Sequence, residues 1–103
     1  MATEREIQET IARCVSIMVY YHNCGKTAHT KEQMTAEIGT VAQTVKGWAS
    51  GNDPWGRILD SVNAELIARY GFELGVRLDG EFYKAFEDAD LPMPIRLPSR
   101  VLR

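Results

Sequence analysis

The sequence is poor in the features that would place it in most functional classes. It has only two cysteines, Cys14 and Cys24, in 103 residues, too few for a disulfide framework. No apolar run approaches the roughly 18 residues that span a bilayer. The polar, acidic opening Thr3-Glu4-Arg5-Glu6 lacks the basic-then-apolar order of a secretion signal. The cytoplasm is therefore the expected compartment. A basic excess is missing as well: 12 Lys+Arg stand against 14 Asp+Glu, for a formal net charge of -2. Phosphate neutralisation dominates affinity for nucleic acid, so an overall acidic balance counts against a polyanionic partner unless charge is sorted locally. It is sorted here. Acids are absent between Glu37 and Asp53, and residues 93–103 hold three arginines and no acid.

Catalytic constellations are also missing. His22 and His29 have no serine or cysteine nucleophile at a recognisable spacing. Gly25-Lys26-Thr27 lacks the upstream glycine of a phosphate-cradling loop. Cys14, His22, Cys24 and His29 fall within a sixteen-residue window, but without the paired spacing of zinc ligands. We expect no enzyme, cofactor or metal.

What the sequence does have is helical periodicity. Ile7, Ile11, Cys14, Val15, Met18 and Tyr21 recur at three- and four-residue steps, giving a first amphipathic helix that stops near Gly25. Thr30-Lys31-Glu32-Gln33 has the form of a capping box. It is expected to open a short second helix with Met34 and Ile38 inward, ending at Gly39. A third helix is expected over 41–50, anchored by Val45 and Trp48 and closed by Gly51. Pro54 suits the first turn of a fourth helix, whose inner side is Trp55, Ile58, Leu59, Val62, Leu66 and Ile67.

After Gly71 the period shifts to two. Phe72, Leu74, Val76 and Leu78 alternate with Glu73, Gly75 and Arg77, which predicts a half-buried strand. Asp79-Gly80 then reads as a turn, and residues 81–89 as a short helix carrying Phe82 and Phe86. Pro92, Pro94 and Pro98 imply an extended tail, with residues 93–97 placed beside the strand at a sheet edge.

Residues 30–51 carry the most specific signal. Two short helices are expected to meet there at a glycine turn, and Gly39, Thr44, Val45, Trp48 and Gly51 match, without a gap, the spacing of a known family's motif. In this the sequence resembles the lambda-type repressor and Cro family, also called XRE. The resemblance implies a mainly α fold: a four- to five-helix lambda-repressor-like helix-turn-helix domain over 1–70, with a C-terminal β-strand or hairpin in an extension over 71–103.

It further implies a sequence-specific regulator of phage or mobile-element type, an autoregulatory repressor whose helix 41–50 enters the major groove of double-stranded DNA. Ala42, Gln43 and Gly47 would face base edges, with Lys31 and Thr44 near phosphates or the groove edge. The residue chemistry fits in two places, since a glutamine amide pairs bidentately with adenine and alanine can touch a thymine methyl. Lys46 reaches a phosphate or a guanine, and Asn52 is a further backbone contact. One such helix reads few bases, so a homodimer on two half-sites is expected. The strand edge at Phe72, Leu74 and Val76 would join the copies. A second class of function stays open: a protein-interaction module, such as an antitoxin or phage accessory protein, that engages a partner through residues 80–103.

Overall fold

The computed structural model describes residues 2–48 and 53–88, and over these the chain forms four α-helices. They are α1 (Glu4–Asn23), α2 (Ala28–Gly47), α3 (Asp53–Tyr70) and α4 (Phe72–Asp88). The protein is thus mainly helical. The helices neighbour one another in the order α1, α3, α4, α2 and back to α1, so the sequence-adjacent pair α2 and α3 lie across the diagonal. No helix among the described residues is long and apolar enough to cross a membrane.

The first helix starts where the local chemistry satisfies its free amides. The Thr3 hydroxyl accepts from the Glu6 N–H at 3.1 Å, and the Glu6 carboxylate accepts from the Thr3 N–H at 2.8 Å. This reciprocal pair removes two orphan donors of the first turn. All six residues of the expected apolar stripe are buried, and Ile17 joins them. The helix ends through Gly25 and Lys26, both left-handed, with φ of 83° and 54°. A side chain in that region costs roughly 1–2 kcal/mol. Lys26 is held there by Glu81, whose carboxylate lies 3.6 Å from the ammonium and also accepts from the Tyr21 hydroxyl at 2.5 Å. Burial and that acceptor push the Tyr21 pKa up to about 12.

The second helix departs from expectation at both of its ends. Its N-cap is Thr27 rather than Thr30, with the Thr27 hydroxyl accepting from the Thr30 N–H at 3.2 Å. Thr30 lies inside the first turn and donates its own hydroxyl to the Thr27 carbonyl, which lets it be buried. The helix then continues through Gly39 to Gly47. The two helices expected on either side of a turn at Gly39 are one rod. The physical reason is its inner face: Met34, Ile38, Val41, Ala42 and Val45 form a single buried stripe that a break would split. Gly39 does not adopt the left-handed conformation, which among the described glycines belongs to Gly25 and Gly71.

A Cβ on Gly39 meets nothing within 4 Å, so Gly39→Ala should raise stability by about 0.5–1 kcal/mol, the usual helix-interior gain. Denaturant titration measures it. A loss of stability would restore a left-handed turn at this position.

No strand forms over residues 72–78. These residues are the first half of α4, and the expected Asp79-Gly80 turn is a continuation of the same helix. Its buried side is Gly75, Leu78, Asp79, Phe82, Tyr83, Ala85 and Phe86, a spacing of three and four rather than two. Gly71, at φ 84°, is the whole connection between α3 and α4, and its N–H donates to the Ile67 carbonyl at 2.9 Å. Leu78, Phe82 and Phe86 belong to the same core cluster as Ile7, Met18, Ile38 and Leu66. The expected edge pairing of residues 93–97, like the arginines of the tail, lies outside the described residues.

Aromatic side chains close the centre of that core. Phe86 meets Trp55 edge-on at 5.3 Å between ring centroids and 86° between planes. It meets Phe82 at 5.3 Å and 74°. At the rim, Arg57 donates to both carboxylate oxygens of Glu4 at 2.6 Å, tying the second turn of α3 to the first turn of α1. The guanidinium, then Gln8, holds the Glu4 pKa down to about 2.

Candidate interaction surfaces

The residues singled out for DNA all fall on α2 or beyond it. Lys31 is exposed on the first turn, and Gln43, Lys46 and Gly47 are exposed on the last two. Fifteen residues separate Lys31 from Lys46, about 22 Å along a straight helix at 1.5 Å per residue. Ala42 is fully buried in the core, so its methyl cannot reach a base. Thr44 is exposed, but its hydroxyl donates to the Thr40 carbonyl at 3.2 Å. Phosphate oxygens only accept, and that one donor is already used inside the helix. Trp48 caps α2 half-buried, and Asn52 lies outside the described residues. The expected recognition helix over 41–50 is, as far as Gly47, the C-terminal half of α2 rather than a separate element.

What remains of the expected site is a narrower feature. From Ile38 to Trp48 the helix carries no acid, and Gln43 and Lys46 project from one side of it. The dimer residues change character more completely. Phe72 is 54% exposed on the first turn of α4, while Leu74 and Val76 are half-buried on the same helix. With no strand there, they present no backbone edge for a second copy to pair with.

A surface not foreseen from the sequence lies on the opposite side of α2. Between α1 and α2 runs an open groove of about 330 Å³ lined by Arg13, Ser16, Ile17, Tyr20, Gln33 and Glu37. Tyr20 is 53% exposed, one of two large hydrophobic residues so placed among the described residues. The Cys24 side chain near its hydroxyl raises its pKa above the ordinary tyrosine value. Arg13 and Glu37 give the groove one charge of each sign. A second groove of about 320 Å³ flanks α1 on its α3 side, between Val15, Ser16, Glu65 and Arg69. The outer face of α1 thus stands as a ridge between two shallow grooves. The sequence signal was Tyr20 itself, an aromatic residue off the buried stripe of its helix.

Among the described residues no three His, Cys, Asp or Glu side chains gather around a point fit for a metal ion. The His22 ring packs on Tyr70 at 4.7 Å. Cys14 is fully buried, and desolvation pushes its thiol up to about 12. Thiolate is the reactive form, so a folded chain should take up one equivalent of a thiol reagent, at Cys24. Two equivalents should react after denaturation. Mass mapping of the labelled site checks this, and native labelling at Cys14 would mean that α1 opens.

Comparison of the chain with protein-family models, with curated proteins and with solved structures gave no match.

Proposed function

We propose that the chain is a non-catalytic binding module whose partner is another protein, seated on α1 and α2 around Tyr20. The observation that carries this reading is the half-exposed Tyr20 in an open groove bounded by Arg13 and Glu37. Aromatic residues and arginine are the side chains most enriched where proteins bind one another. A groove of this depth suits an apolar side chain from a partner, with a carboxylate facing Arg13 and a cation facing Glu37. The net charge of -2 agrees with a partner that is not a polyanion.

A second reading keeps the regulator of transcription: a dimeric, autoregulatory repressor of phage type that binds double-stranded DNA. The acid-free end of α2 favours it, with Gln43 and Lys46 as the reading side chains. In that reading the helix end enters the groove as part of a 20-residue rod, without a preceding short helix across the backbone.

One experiment separates the two. Tagged wild type, Tyr20→Glu and Gln43→Ala/Lys46→Ala are recovered from the cells that encode the chain, and each is also tested by gel shift against its own promoter at two salt concentrations. A protein lost from Tyr20→Glu and kept by the double variant supports the first reading. A salt-sensitive DNA complex lost only in the double variant moves the function to the end of α2.

A further inference from the structure

We draw no further inference here: the strongest candidate, the solvent face of α2 along Ala36, Thr40 and Gly47, is a stripe of small residues interrupted by Gln43, and nothing in the structure shows what would cover it.

Discussion

Alanine in place of Gly75 should destabilise the protein by about 1–2 kcal/mol net, since overpacking a close contact costs up to about 3 kcal/mol. A Cβ at Gly75 would lie 2.6 Å from the Ile67 Cα, 2.8 Å from the Ile67 nitrogen and 2.8 Å from the Leu66 carbonyl oxygen. All three are backbone atoms of α3, so no flexible side chain can swing aside. Relief requires α3 and α4 to separate along their length. The better helix propensity of alanine returns about 1 kcal/mol, too little to offset the clash. Denaturant titration beside Gly39→Ala provides an internal control, because the same substitution should carry opposite signs at the two sites. Equal or greater stability for Gly75→Ala would mean that α3 and α4 do not approach so closely.

Phe86→Ala should have the largest effect of any single truncation, about 3–5 kcal/mol. Phe86 is fully buried and holds edge-on contacts with both Trp55 and Phe82. Removing it takes away the transfer free energy of the ring and leaves a cavity between α3 and α4. Domains of this size have total stabilities of about 5–15 kcal/mol, so the variant should lie near the threshold of folding at 37 °C. Phe86→Leu should recover most of the loss. Thermal unfolding followed by tryptophan fluorescence is the natural measurement, since Trp55 packs directly on the deleted ring. A loss below about 1 kcal/mol would place Phe86 at the margin of the core rather than its centre.

The two long stripes of α1 and α3 were largely legible in the sequence, because each keeps a helical period without interruption; Ile17 was missed on α1, and Ile67, expected inward on α3, is only half-buried. The second helix was legible too, but its signal was overridden. Met34, Ile38, Val41 and Val45 hold one period straight across Gly39, whereas the family offsets assign that glycine to a turn. A glycine can serve either conformation, so the flanking periodicity decided the outcome.

The start of α4 failed for a different reason. Phe72, Leu74, Val76 and Leu78 satisfy an alternating pattern, yet only Leu78 is fully buried, and Phe72 is mostly exposed. The decisive inward residue is Gly75, which has no side chain with which to announce a buried position. Polar exposure on α2 was readable at Gln43 and Lys46. Burial of Ala42 was not, because a methyl group is at home on either side of a helix. The Tyr20 groove depends on how α1 and α2 meet, and a one-dimensional pattern does not record that.

The single-residue connection at Gly71 also bears on the order in which the chain folds. The α3–α4 contact is the most extensive between any two helices, and it closes through the shortest link in the described chain. Loop-closure entropy is small for so short a link, whereas docking α1 on α3 or α2 on α4 must first bring together segments dozens of residues apart. The C-terminal helical hairpin should therefore form early in refolding. The docking of α1 and α2 onto that hairpin, which spans the longer separations, should then follow.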